Sequence, residues 1–362
     1  ADITREEMAC MLIGALGLDT LAEQTAVTGI ESPFVDVSLE SYPETYGRIM
    51  LAYDFGIING IPAGDELWFE PGSPATREQM AAMLMRLYRR LSASLDDLHV
   101  FYHYTGGSAQ ADLLAQADSV SFGWAKLEYW NSRGGSYLNV TSQNSNQWYP
   151  AGTASELTAS LAQVSVPYNL CVFMDRSQKV TLPDGTEARD VDLILSDAAQ
   201  RQSAVSQIVA QATGQSGGIS YSGVTIDFEG LTLDTYAEQL NSFMRELRDA
   251  LPADMDLSIA VPPRTWYKGY DYRTLGDICD RVILMAHDFA STTMPDYQKN
   301  TDLPETPLAP IDDVYTALRD IVNPTDGVQD PDKVLLAISF GTIRWDVTGG
   351  SVQNSRAGTS ST

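Results

Sequence analysis

The chain has 362 residues, with 23 Lys+Arg against 48 Asp+Glu and a formal net charge of −25. A surface that acidic repels phosphate backbones, which argues against a nucleic-acid partner. Hydrophobic residues at 44% and charged residues at 20% exclude a disordered chain, and no apolar run approaches the roughly 18 residues of a membrane-spanning helix. The length allows two or three domains. The chain opens on Ala1 with no basic, apolar leader, as a mature chain or an excised fragment would. Cys10, Cys171 and Cys279 are too few and too scattered for a disulfide framework or a metal cluster, so they read as buried small hydrophobes.

An internal repeat organises the amino terminus. Thr4-Arg5-Glu6-Glu7-Met8-Ala9-Cys10-Met11-Leu12 returns 72 residues later as Thr76-Arg77-Glu78-Gln79-Met80-Ala81-Ala82-Met83-Leu84. In each copy a threonine and early acidic residues precede apolar residues at helical spacing, which predicts a capped helix start. Between the copies lie Phe34-Val35-Asp36-Val37, a helical stretch from Tyr42 to Asp54, Gly56-Ile57-Ile58-Asn59-Gly60 and Phe69-Glu70-Pro71. These segments resemble the surface-layer homology module, with its F-x-D-V opening, central G-I-x-x-G and T-R-x-E helix. The resemblance implies a small all-α domain made of one complete module and the tail of another. It also implies binding of an anionic secondary cell-wall polymer, with Arg5 and Arg77 as candidate contacts. The other reading of each arginine is an ion pair with a nearby glutamate. The array ends at Ser92-Ala93-Ser94, so the domains are expected over 1–92 and 93–362.

Beyond that boundary, short apolar runs alternate with helical periodicity. Strands are predicted at His99–Tyr104, Val120–Tyr129, Leu170–Asp175, Gly223–Glu229, Leu257–Pro262, Arg281–Phe289 and Val334–Trp345. Helical stretches such as Asp197–Ala212 and Tyr236–Leu251 lie between them. The alternation predicts an α/β fold, a (β/α)₈ barrel of which only seven strands are found. The Gly/Ser/Thr-rich tail after Trp345 offers no eighth strand with its helix. Aromatic residues Tyr137, Trp148, Tyr149, Trp266, Tyr267 and Tyr270 fall in loops after strand carboxyl ends, where barrel sites are built. They could stack on sugar rings or simply pack the loops down.

The sharpest chemical signal is Ser222-Gly223-Val224-Thr225-Ile226-Asp227-Phe228-Glu229. Alternation along a strand puts Thr225, Asp227 and Glu229 on one face and Val224, Ile226 and Phe228 on the other. Two carboxyls two residues apart are separated by about 6.6 Å at the backbone, close enough to shift each other's proton affinity. An ionised neighbour helps hold the other protonated, as a general acid requires. A salt-bridged core pair is the structural alternative.

This segment resembles the D-G-x-D-x-D-x-E strand of glycoside hydrolase family 18. Ser121-Phe122-Gly123-Trp124 is similar to the second strand of the family's spore-cortex and cell-wall branch, Met285-Ala286-His287-Asp288 to its sixth-strand motif, and Ile338-Ser339-Phe340-Gly341 to its seventh. The family is a substrate-assisted exception among glycosidases. The resemblance implies that Glu229 protonates the glycosidic oxygen and that the substrate's 2-acetamido carbonyl attacks the anomeric carbon. Asp227 then holds the acetamido N–H, and Met285, His287, Asp288, Thr225, Trp124 and Trp266 contact the sugar. It implies a secreted cell-surface enzyme acting on β-1,4-linked N-acetylglucosamine in peptidoglycan or chitin. Ser222, Thr225 and His287 depart from the family pattern, and a catalytically silent glycan-binding protein is the alternative function. His99 and His103 have no ligand-like company, and Asp184-Gly185-Thr186-Glu187 reads as a surface turn rather than a calcium loop, so no metal or other cofactor is expected.

Overall fold

The computed structural model describes residues 2–27, 30–93, 97–102, 114, 116–146, 149, 165–214, 220–265, 267–287, 289, 308–339, 342–348 and 351–358. The chain divides into two compact units, Ala1–Asp96 and Asp97–Thr362.

In the first unit the repeated segment opens α1 (Arg5–Ala15), which is followed by α2 (Asp19–Val27) and α3 (Tyr46–Asp54). A hairpin of β1 (Ile61–Ala63) and β2 (Glu66–Trp68) leads to α4 (Arg77–Leu91), which the second copy opens. Both copies form the same cap. Thr4 Oγ1 accepts from the Glu7 amide at 3.1 Å while Glu7 accepts from the Thr4 amide at 2.8 Å. Thr76 and Gln79 repeat the exchange at 3.2 and 3.0 Å. Four orphan helix donors are satisfied by residues three apart, so the local sequence is sufficient to write this geometry. The unit departs from all-helical expectation at the β1–β2 hairpin. Helices α2 and α3 pack so closely at Gly47 that a Cβ there would lie 1.8 Å from the Ala22 carbonyl oxygen, and only glycine fits.

The second unit is built on seven parallel strands: β3 (His99–Tyr102), β4 (Ser119–Trp130), β6 (Tyr168–Asp175), β9 (Gly223–Glu229), β10 (Asp256–Val261), β11 (Arg281–Met285) and β12 (Val334–Ala337). They run side by side in the order β3-β4-β6-β9-β10-β11-β12, a nearly closed barrel of the TIM type. An antiparallel β5 (Gly135–Asn139) folds back on β4, and β7 (Lys179–Thr181) pairs with β8 (Glu187–Arg189) as a hairpin beyond the end of β6. Helices α5 (Asp190–Leu195), α6 (Ala198–Ala212), α7 (Thr235–Ala250), α8 (Tyr272–Ile278) and α9 (Ile311–Ile321) fall between strands.

The predicted seventh strand needs correction. It ends at Ala337, and the residues beyond form a separate antiparallel hairpin of β13 (Thr342–Thr348) and β14 (Ser351–Gly358). The tail, read as offering no eighth strand with its helix, carries β14, which adds nothing to the parallel sheet. Its partner is β13 rather than the parallel sheet.

The alternation expected of β9 is present. Val224, Ile226 and Phe228 are fully buried on the outer face of the sheet, and α7 lays Leu240, Phe243, Met244 and Leu247 into the same core. The Phe228 and Phe243 rings are 5.1 Å apart. Burying each such side chain stabilises the fold by about 1.5–3 kcal/mol, which orients β9 and turns its polar set inward.

Candidate active site

The inward set divides into a floor and a mouth. At the level of the floor, Thr225 is fully buried and stands in register with Cys171 on β6 and Ser258 on β10. Its hydroxyl meets Ser121 Oγ at 2.6 Å and accepts from Asn169 Nδ2 at 3.3 Å. The Asn169 amide also donates to Asp256 Oδ2 at 2.7 Å, as does Ser258 Oγ at 2.6 Å. Arg281 then joins Asp256 at 2.8 Å and Asp97 at 2.9 Å. His99 places one ring nitrogen 2.6 Å from Ser119 Oγ and the other 2.8 Å from Ser121 Oγ. Burial, helped by the Arg281 charge, pushes the His99 pKa down to about 4, so the ring is neutral near pH 7.

Gly223 is required by this packing. A Cβ there would lie 2.6 Å from Asn169 Oδ1 and 2.4 Å from the Asp256 carbonyl oxygen. The glycine that opens the strand motif therefore makes room for the floor.

Asp227 is 6% exposed, and Glu229, one step nearer the carboxyl end, is half-buried. In register they face Phe173 and Asp175 of β6. Cys171 lies beneath both. Burial, with the negative charges of Asp227 and Glu229 added, holds its thiol far above the ordinary cysteine value, so it stays protonated. The peptide between the two acids is fixed by Tyr270, whose buried hydroxyl donates to the Phe228 carbonyl at 2.5 Å.

Above this level a cavity of about 320 Å³ opens, lined by Glu229, Gly230, Pro262, Pro263, Tyr267, Met285, His287 and Phe289. A carboxyl group with an adjacent space, an apolar and aromatic wall and an imidazole can bind a small polar ring and exchange a proton with it.

The predicted site residues distribute unevenly. Glu229, Met285 and His287 line the cavity, and Asp227 lies on the inward face one step below Glu229. Thr225, expected to touch the sugar, is instead a floor residue, because two protein partners occupy its hydroxyl and no part of it is accessible. Trp124 reaches register with Cys171 through a bulge at Gly123, whose φ is +63°. The Trp124 side chain, and Trp266 and Asp288 entirely, lie outside the described residues. Of the loop aromatics, Tyr267 faces the cavity and Tyr270 is core. Tyr137 packs on Trp130 at 4.5 Å with the Arg133 guanidinium 4.0 Å from its ring, as a packing role requires. Trp148 is outside the described residues, and Tyr149 is half-buried.

Sequence reasoning missed Asn169, Asp256, Ser258 and Arg281. The available signal was polar residues at every second position of otherwise apolar strands, the same alternation that picked out Asp227 and Glu229.

In the first unit, Arg5 is 4% exposed and serves its own domain. It donates from Nε to the Phe69 carbonyl at 2.6 Å and lies 5.1 Å from the centre of the Phe69 ring. Burial lowers its pKa, opposed by Glu70 and Asp36. An arginine committed to backbone carbonyls and an aromatic face is not available to a polymer, whereas Arg77 is exposed.

Comparison with known proteins agrees with this architecture. The sequence of YdhD from Bacillus subtilis (strain 168), named as a sporulation-specific glycosylase, is 40% identical over 75 residues, 19% of this chain and 18% of YdhD. A cortical fragment-lytic enzyme of the same organism is 28% identical over 130 residues, 34% of this chain and 28% of that protein. The chain thus spans less than a third of the length of either curated relative. The crystal structure of a chitinase from Chromobacterium violaceum ATCC 12472 superposes with a TM-score of 0.51 over 72% of this chain and 73% of the chitinase, at 19% identity, which shows a shared fold. Residues 33–81 match the S-layer homology domain and residues 185–362 match Glycosyl hydrolases family 18, so the chain carries one region similar to each.

Proposed function

We propose that the protein is a cell-surface glycosidase that cuts β-1,4 linkages next to N-acetylglucosamine in peptidoglycan or chitin. The observation that carries the reading is Glu229 bordering an open cavity, with Asp227 two residues below it on the same inward face. The cortical fragment-lytic relative favours peptidoglycan, and the S-layer homology domain supports attachment to a secondary cell-wall polymer.

In this mechanism the protonated Glu229 carboxyl gives its proton to the glycosidic oxygen as the C1–O bond breaks. The substrate's own acetamido oxygen closes on C1 to form an oxazolinium ion. Asp227 accepts a hydrogen bond from the acetamido N–H and balances the positive charge. Water then attacks C1, giving its proton back to Glu229 and releasing the sugar with retained configuration. Met285 and His287 stand on the cavity wall where the −1 sugar would sit, and Asp288 follows them in sequence. Tyr267 and the two prolines add an apolar part of the lining.

The test is release of reducing ends from peptidoglycan, cortical fragments and N-acetylglucosamine oligomers, with product masses measured. Cleavage by the parent chain, lowered about 10²–10⁴-fold in Glu229→Gln, is the expected outcome. Equal activity in both would refute the assignment. Binding of oligomers without turnover by the parent would establish the glycan-binding alternative.

A further inference from the structure

One wall of the cavity is held in an unusual way. Pro262, Pro263 and Tyr267 belong to the segment that leaves β10, and Arg264 lies between them in sequence. The Arg264 guanidinium is engaged on two sides at once. Nε and Nη2 meet the Asp320 carboxylate at 3.0 and 2.5 Å, and Nη1 and Nη2 meet Asp326 at 3.0 and 3.2 Å. The same group lies 4.6 Å from the centre of the Tyr272 ring, and the buried Tyr272 hydroxyl donates to the Pro262 carbonyl at 2.6 Å. Asp320 is in the last turn of α9, and Asp326 follows in the next turn. Farther along the segment, the Gly269 amide donates to the Leu231 carbonyl at 2.9 Å.

Helix stability does not account for Asp320. The carboxyl end of a helix carries partial negative charge, so an acid there is unfavourable unless a cation answers it. A double fork also requires arginine, because lysine cannot present two pairs of parallel donors. The arrangement spends one cation and two acids on fixing a short loop whose inner side is the cavity wall.

We propose that Arg264 is a positioning residue for glycan binding, holding Pro262, Pro263 and Tyr267 in place so that Tyr267 meets the sugar without first being ordered. This rests on the glycosidase reading for the identity of the ligand; the clamp itself does not. A wall fixed before binding avoids the ordering cost that a loose loop would meet on association. The effect of losing the clamp therefore falls on affinity, with the chemical step at Glu229 left intact.

Three measurements decide it. The first is hydrogen exchange of the backbone over 262–271 in Arg264→Gln and the parent. The proposal expects about tenfold faster exchange there with β9 unchanged, and equal rates would overturn it whatever the protein cleaves. The second is binding of an N-acetylglucosamine hexamer in a Glu229→Gln background. Kd should rise about five- to tenfold on adding Arg264→Gln, by a similar factor on adding Tyr267→Ala, and no further with both. A double variant whose loss is the product of the two single losses would overturn the route through Tyr267. On the active enzyme the loss should appear in KM with kcat within about twofold, and Arg264→Lys should recover only part of it. A fall in kcat alone would overturn the proposal. If the Glu229→Gln chain binds no oligomer, the glycosidase reading fails with the ligand named here, and the exchange result still decides whether Arg264 holds the wall.

Discussion

The floor and the mouth of the barrel are built from the same inward-pointing positions of the same strands, yet one is closed by protein and the other borders a cavity. In the floor polar and charged side chains hold one another. Arg281 joins Asp256 to Asp97, Asn169 joins Asp256 to Thr225, and His99 is kept neutral between two serines. At the mouth Glu229 adjoins open space. A carboxyl group is usable in chemistry where a substrate atom can approach it and structural where protein partners fill its shell. The comparison predicts that mouth substitutions cost activity and floor substitutions cost stability.

The largest expected effect is at the mouth. Glu229→Gln should lower kcat by about 10²–10⁴-fold, measured as reducing-end release, while the melting temperature stays within about 2 °C of the parent. A large loss of stability would erase the distinction between the two regions.

Arg281→Ala should do the reverse. It leaves Asp256 and Asp97 without their cation, and breaking a buried pair costs about 3–5 kcal/mol. Arg281 keeps 30% of its side chain exposed, so about 2–3 kcal/mol in denaturant unfolding is expected. Specific activity of the folded fraction should be retained.

The two copies of the amino-terminal repeat sharpen the same point on a smaller scale. Arg5→Ala removes a buried donor from the Phe69 carbonyl and should cost about 1–3 kcal/mol in the first unit. Arg77→Ala, at the exposed counterpart, should stay within about 0.5 kcal/mol. Wall-polymer pull-down by each variant tests the binding role directly. Loss with Arg77→Ala but retained binding with a folded Arg5→Lys chain is expected.

The smallest effect is a pH slope from His99. Its folded-state value is pushed from 6.5 to about 4, whereas the unfolded chain takes up a proton below about 6.5. The unfolded state therefore binds more protons between those limits. Stability should fall as pH drops from about 6.5 to 4 and take no further contribution from this group below that. The contribution is on the order of 1–3 kcal/mol, and His99→Gln should flatten that part of a stability-against-pH curve. An unchanged slope would place the floor histidine in contact with water after all.

Much of the barrel was legible because strands and helices announce themselves over a few residues. The period-two pattern of Val224, Ile226 and Phe228 against Thr225, Asp227 and Glu229 is enough to orient β9, and the offset of the acid pair marks the site. The family resemblance placed Thr225 against substrate, and the structure assigns it to the floor instead. Nothing near Thr225 in sequence shows that Ser121 and Asn169, 104 and 56 residues away, take up its hydroxyl. The β13–β14 hairpin escaped for a different reason: an apolar run continuing past Ala337 carries no mark of where one strand stops and the next begins.

Periodicity, caps and the spacing of the two acids were decided by the sequence alone, since sterics and hydrogen bonding among residues two to four apart are enough to set them. Which inward side chains became scaffold and which were left facing a cavity was decided only when the sheet curled. Arg281 and Asp97, 184 residues apart, become partners because the curled sheet brings β11 and the start of β3 within reach of one guanidinium. Arg5 and Arg77, begun by nearly the same nine residues, part company for the same reason. One copy meets the Phe69 carbonyl and ring, and the other stands exposed.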